Sequence, residues 1–430
     1  MNWMGRHVLG LLLAFSVTAA AEAGPQGVVR VDGHVLTDTD GPFLGLGATY
    51  MQALRHCKFD RERLHRELGF LSSCGFNYVR VLSMVDWPGQ EIAPVPHQNR
   101  EGNPVAAWPD YDAQLTELVD MVHSHGLRAQ VTIFADAQWI MPDARTRREH
   151  LERVMRVLAG REEKIILYEI ANEAWQNGFP GDAGVGELRE LGREAARRSP
   201  ALLALSSPFD MENRAEGLVR LYAGSSATIA TMHFSRDTRG EMGAWLPVID
   251  CRVFSRLEGL PPISSNEPIG PGSSVASEAD PVMILSAAAF AFLSGLPMYV
   301  FHSAAGVKAE ESFEDMPWLR QFGALSGLLP RDLPNWERFD SGSGGNPLTA
   351  TAPDVPPLYQ CGARKGRDFV CLLLALPDTG REFKADKALS FSTHALPSGE
   401  RIGRTSVKKG EVFTIKASST ASILKGVLKS

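Results

Sequence analysis

Eight short apolar runs alternate with amphipathic helical segments over about 300 residues, a glycine-rich linker follows, and only strand-like runs come after it. These observations predict an α/β chain: a (β/α)8 TIM barrel with a small C-terminal all-β domain. At 430 residues the chain is long enough to bury the core that such a barrel needs. Its 44% hydrophobic and 22% charged residues place it among ordinary globular proteins rather than disordered chains.

The first residues stand apart from this fold. Arg6 and His7 precede an apolar run from Val8 to Val17, and small residues lead to Ala21-Glu22-Ala23 before Gly24. Residues 1–23 therefore read as a signal peptide, and the expected location is secreted or periplasmic, after cleavage near Ala23. The run is too short to span a bilayer, and no later segment offers a long uninterrupted apolar stretch, so no membrane span is expected.

The barrel is expected over 24–340, opened by a β-hairpin from Val28 to Leu36 that turns at Asp32-Gly33. Its strands read as Phe43–Tyr50, Phe76–Leu82, Leu127–Phe134, Ile165–Ala171, Leu202–Ser206, Thr228–Met232, Ile263–Ser265 and Met298–Phe301. Glycines in the first of these would admit close neighbours. Between strands, Asp60 can cap a helix with the stripe Leu64, Leu68 and Leu71. Leu115, Leu118, Val119 and Val122 mark another, as do Leu151, Val154, Met155 and Leu158. The segment from Ile284 to Leu293 is apolar nearly all round, which predicts a buried helix. A doubly wound sheet also alternates strand and helix, but it ordinarily carries a glycine-rich phosphate loop after its first strand. Here that position reads Ala48-Thr49-Tyr50-Met51.

Asp340 to Pro347 reads as the linker, and 346–430 as a β-sandwich-like domain expected to pack against the barrel. That domain shows no aromatic strip that would mark it as a sugar binder. Five cysteines in an exported chain allow one or two structural bridges, with Cys361–Cys371 across a hairpin and Cys57–Cys74 as the plausible pairs and Cys251 left over. A net charge of -6 offers no cationic field for nucleic acid or anionic lipid, so a neutral substrate and no nucleic-acid partner are expected. His123 and His125 at a helix end suit the dipole, and nothing signals a metal or an organic cofactor. No feature sets an oligomeric state.

A TIM barrel carries its active site at the C-terminal strand ends, so the ionisable residues there matter most. The fourth strand ends Tyr168-Glu169-Ile170-Ala171-Asn172-Glu173-Ala174-Trp175 and the seventh Ser265-Asn266-Glu267-Pro268, while Arg80 and His233 end the second and sixth. Two carboxyl groups held roughly 5 Å apart are what retaining glycoside hydrolysis requires, one to donate a proton and one to attack the anomeric carbon. Arg80 would hold Glu267 ionised, and the charge on Glu267 would favour the protonated form of Glu173. Asn172 suits a sugar 2-hydroxyl, and Glu169 reads as a structural carboxylate inside the barrel. Glu278 and Asp250 are the fallback candidates for Glu267. Trp87, Trp139, Trp175 and Trp245 follow strands on the loop side, and about two of them are expected to stack on sugar faces.

These motifs resemble the retaining (β/α)8 glycoside hydrolases, family 5 cellulases and mannanases above all. Y-E-I-A-N-E-A at 168–174 is similar to that family's fourth strand, F-N-Y-V-R at 76–80 to its second, and M-H-F at 232–234 to its sixth. Glu267 falls where the family has its seventh-strand glutamate, and Asp40-Gly41-Pro42-Phe43 resembles its lead into the barrel. The resemblance runs from about residue 27 to 330. It implies Glu173 as acid/base and Glu267 as nucleophile acting on a neutral β-linked glycan, an oligo- or polysaccharide. Arg80, Asn172, His233, Trp175, Trp139, Trp245 and His302 are the expected substrate contacts. Three positions depart from the family: Ser235 replaces its tyrosine, Val300-Phe301-His302-Ser303 its eighth-strand tryptophan, and Ala135-Asp136 a histidine. They keep a second reading open, a catalytically inactive carbohydrate-binding protein on the same barrel.

Overall fold

The computed structural model describes residues 24–208, 214–234, 245, 248, 251–255, 257–268, 270–272, 278–341, 343, 345–352, 359–416 and 419–429. The leader 1–23, Ser235 and Asp250 lie outside the described residues. Eight parallel strands form the predicted barrel: Gly45–Thr49, Tyr78–Leu82, Arg128–Phe134, Ile165–Ala171, Leu202–Ala204, Ala230–His233, Ile263–Asn266 and Met298–Phe301. The eighth returns beside the first, Met298 standing opposite Gly45. Between the fifth and sixth strands no ladder forms among the described residues, and side chains bridge that seam. Thr228 Oγ1 accepts from the Leu203 amide at 2.8 Å, and the Tyr222 hydroxyl accepts from the amides of Ser206 and Thr231 at 3.0 and 3.1 Å.

Alternation along the strands fills the barrel in layers. The lower layer is apolar, with Tyr78, Leu167, Leu202 and Met298 packing on Val29 and Leu36 of the N-terminal hairpin, which plugs that end. Gly47 makes room for Tyr78, because a Cβ there would stand 2.3 Å from the ring. The upper layer is polar and buried: Arg80, Gln130, Thr132, Glu169 and Asn266. Buried polar groups must find partners or lose heavily in stability, so this layer is where the strands' sequences turn from packing to chemistry.

The helices bury the stripes that their spacing predicts. Asp60 accepts from the Arg63 amide to cap Arg61–Ser73, which buries Leu64, Leu68 and Leu71. Tyr111–Ser124 buries Leu115, Leu118, Val119 and Val122, and Ala144–Val157 buries Leu151, Val154 and Met155. Helix Pro281–Leu293 is buried at every position from Met283 to Leu293. It is apolar all round because it is wedged between the eighth barrel strand and the C-terminal sheet. No helix among the described residues is long and apolar enough to cross a membrane.

The C-terminal strands form an antiparallel six-stranded sheet, in the order Glu337–Asp340, Tyr359–Lys365, Asp368–Leu374, Ser422–Leu428, Leu389–Ala395 and Arg401–Val407. A three-stranded sheet of Leu348–Ala350, Arg381–Ala385 and Val412–Ile415 lies over it. Asp368–Leu374 reads as a continuous apolar run because both its faces are covered. Phe369, Cys371 and Leu373 enter the sandwich core, while Val370, Leu372 and Leu374 enter the barrel's core.

The same alternation corrects the expected disulfides. All five thiols are free and buried. Cys361 stands opposite Leu372 and Cys371 opposite Gly362, so the two sulfurs are one residue out of register and face opposite sides of the sheet. Cys57 and Cys74 belong to the barrel core, and burial raises both thiols above their ordinary range.

Candidate active site

The ends of the fourth and seventh strands and one arginine of the second build the centre of the upper layer. Arg80, fully buried on the second strand, donates through Nε to Glu169 Oε2 at 2.9 Å, through Nη1 to Glu267 Oε1 at 2.6 Å and through Nη2 to Asn172 Oδ1 at 2.7 Å. Burial alone would lower the Arg80 guanidinium, but the two carboxylates outweigh it and the net shift is upward. Glu169 is satisfied on its other sides by Asn266 Nδ2 at 2.9 Å and Thr132 Oγ1 at 2.7 Å. Arg80 therefore stands beside Glu267 and also partners Glu169.

Glu173 and Glu267 face each other across this centre. His233 Nδ1 lies 2.9 Å from Glu173 Oε1 and 3.6 Å from Glu267 Oε2. Donor atoms of all three residues fall within 4.8 Å of one another. Glu173 keeps 20% of its side chain exposed against 6% for Glu267, so the first is reachable from solvent and the second enclosed. A cation could use these three groups as ligands, yet the guanidinium 2.6 Å from Glu267 already supplies the positive charge that the site's acids need.

The backbone is strained at these positions. Only four non-glycine residues among those described have positive φ: Asp136 at 55°, Glu173 at 35°, Glu267 at 47° and Ala375 at 51°. Such conformations cost of the order of 1–3 kcal/mol each and persist where the surroundings over-determine them. Three of the four are acidic residues just beyond barrel strands three, four and seven, and all three line one pocket.

Neighbours lock the turn at Glu173. The Ala174 amide donates to Ser206 Oγ at 3.0 Å, Asn177 Nδ2 donates to the Glu173 carbonyl at 3.2 Å, and Asn177 Oδ1 accepts from the Asp136 amide at 2.6 Å. Gln176 Nε2 donates to Glu173 Oε2. After Glu267, Pro268 narrows the backbone choices and Gly270 lets the loop lie against strand eight. A Cβ on Gly270 would stand 1.6 Å from the His302 carbonyl oxygen.

The pocket encloses about 410 Å³. Asn172, Glu173, Glu267 and His302 line it, with Trp87, Arg100, Asp136 and Lys308 at its flanks. His233 meets both glutamates beside it. Among the described residues Trp139, Trp175 and Trp245 do not line this pocket. Trp139 is exposed, Trp175 turns toward Phe179, Pro208 and Leu221 in a separate apolar hollow, and Trp245 packs on the core's edge. Glu278 stands outside the pocket lining.

Sequence reasoning did not find the cluster around Asp136. Arg100 Nη2 donates to Asp136 Oδ1 at 2.8 Å, and the Asp86 amide to Asp136 Oδ2 at 3.0 Å. Burial, ahead of its hydrogen bonds and Arg100, raises the Asp136 carboxyl above its ordinary range. Its place directly after the third strand was the available signal.

No family model matches this chain, and no curated protein matches it. Its fold has solved counterparts. A structure described as a glycoside hydrolase matches with TM-score 0.64 at 14% identity, over 94% of this chain and 97% of that one. A glycoside hydrolase family 5 structure from Bacteroides vulgatus ATCC 8482 matches with TM-score 0.64 at 14% identity, over 94% and 95%. An alpha-amylase from Geobacillus thermoleovorans matches with TM-score 0.55 at 8% identity, over 90% and 99%. At these identities the likeness is one of fold, and it spans the barrel and the C-terminal β-domain together.

Proposed function

We propose that this chain is an exported retaining glycoside hydrolase that cleaves a neutral β-linked glycan by double displacement. The observation that carries the reading is the pair Glu173 and Glu267. They stand just beyond barrel strands four and seven, each offering one carboxylate oxygen within 4.8 Å of the other's, and both are held in left-handed backbone. Oxygens that close suit retention, whose carboxyl groups stand about 5–5.5 Å apart, better than inversion at roughly 6.5–9.5 Å. The two structural counterparts that are themselves described as glycoside hydrolases support the same class of reaction.

Glu267, enclosed and gripped by Arg80, is the anion that attacks the anomeric carbon. Glu173, more open to solvent, donates its proton to the departing glycosidic oxygen and then takes a proton from the water that releases the sugar. Asn172, oriented by Arg80 Nη2, faces the pocket where a sugar hydroxyl would lie. His233 touches both carboxyl groups and holds their spacing.

The test is sugar release from a panel of β-glucans, mannans, xylans and aryl glycosides, with Glu267→Ala beside the unaltered protein. Cleavage of one substrate that the variant abolishes supports the reading. Activity that survives in the variant refutes the role of Glu267. Saccharide binding without turnover in both proteins supports the non-catalytic reading instead.

A further inference from the structure

We propose that the overhanging barrel-side face of the C-terminal six-stranded sheet is a non-catalytic docking site for an acidic polysaccharide. The whole-chain charge of -6 conceals a division of sign. Residues 346–430 hold 13 Lys and Arg against 7 Asp and Glu, a net +6, which leaves -12 on the residues before them. A basic domain fixed to an acidic one gives two surfaces of opposite field, and only the first attracts a polyanion.

The register gathers part of that charge in one place. Arg404 stands opposite Ser392, Ser392 opposite Lys425, and Lys425 opposite Val370. Residues directly opposite share a face of the sheet. Val370 belongs to the barrel's core, so this is the face that the barrel covers. The barrel packs on the near strands, and beside the far strands Leu389–Ala395 and Arg401–Val407 lies a groove of about 630 Å³, lined on the barrel side by Pro330 and Trp336. That volume falls within the range of about 300–1,000 Å³ common to ligand sites.

The groove's chemistry suits a charged sugar chain. Arg401, Arg404 and Lys425 line it, all three exposed, and none enters an ion pair among the described residues. Asp368 is the single acid in the lining. The hydroxyls of Ser390 and Ser392 lie between the cations, and Trp336 forms the barrel-side wall. Cations at two or more spacings, hydroxyls between them and an indole beside them match carboxylates, ring hydroxyls and an apolar sugar face. A concave notch between two domains also suits a flexible chain better than a flat membrane. The site differs from the catalytic pocket in place, sign and ligand.

Affinity electrophoresis of the full chain through gels containing polygalacturonate, with dextran as the neutral counterpart, tests the proposal without turnover. The unaltered protein is expected to be retarded by polygalacturonate and not by dextran, with retardation lost in high salt. The variant R401Q/R404Q/K425Q should bind roughly tenfold more weakly, while its hydrolysis of a small aryl glycoside stays unchanged. A control, K384Q/K387Q/K416Q, removes equal charge on or beside the other sheet and should bind as the unaltered protein does. Absence of retardation, or equal losses in both triple variants, overturns the site. Equal, salt-sensitive capture by phosphatidylglycerol vesicles that depends on the same three cations would assign the face to a membrane surface and overturn the polysaccharide. Because binding is read without cleavage, the result stands apart from the fate of the catalytic reading.

Discussion

Arg80→Met is the perturbation that the centre of the barrel answers most sharply. Methionine fills a similar space but carries no charge, so Glu169 and Glu267 would remain buried with their cation gone. Removing one partner of a buried ion pair destabilises by about 3–5 kcal/mol, because the remaining charge is stranded. An unfolding entropy of roughly 2.1 cal/mol/K per residue over the 430 residues makes about 0.9 kcal/mol per kelvin. The expected fall in Tm is therefore roughly 3–6 °C by scanning calorimetry. Adding Glu169→Gln should recover part of that loss, because it removes one stranded charge, keeps an oxygen to accept from Asn266 and turns an NH2 toward the Thr132 hydroxyl, which can accept from it. A Tm shift below 1 °C at pH 7.5, or a double variant less stable than the single one, would refute this account of Arg80.

Two further outcomes follow from groups away from the reacting atoms. His150 is fully buried between Tyr111 and Phe134, and burial, then Arg153, lowers it to about 3. The folded state keeps it neutral while the unfolded chain binds a proton below about 6.5, so stability present above that pH is lost on acidification at up to about 1.4 kcal/mol per unit. Urea midpoints of His150→Phe should accordingly fall less between pH 6.5 and 4 than those of the unaltered protein. Gly270→Ala places a methyl against the His302 carbonyl and must move the loop that carries Glu267. It should cost about 1–3 kcal/mol by calorimetry and reduce kcat at least tenfold on whichever glycan is cleaved.

The barrel was legible because each strand is an apolar run closed by a turn signal, and the all-round apolar helix announced its burial between two layers. Glu173 and Glu267 could be found from their address at strand ends. Their support could not. Arg80 reaches residues 89 and 187 positions away, and no local pattern records which buried guanidinium meets which carboxylate. Asp136 was visible only as a departure, since its left-handed backbone is fixed by Asn177, itself part of the Glu173 turn. The expected hairpin disulfide failed on a register of one residue, which spacing in the chain does not determine. The basic groove is hidden in the sequence for a similar reason: Arg404 and Lys425 meet through Ser392 on the strand between them, and a whole-chain charge averages the two domains.

The most direct test of the two-glutamate account is mass spectrometry of the protein after reaction with 2-deoxy-2-fluoro-β-glycosyl fluorides of the sugar that it cleaves. A covalent glycosyl adduct on the peptide carrying Glu267, absent from Glu267→Ala, is the predicted result. An adduct on another residue, or products of inverted anomeric configuration with no adduct at all, would contradict it.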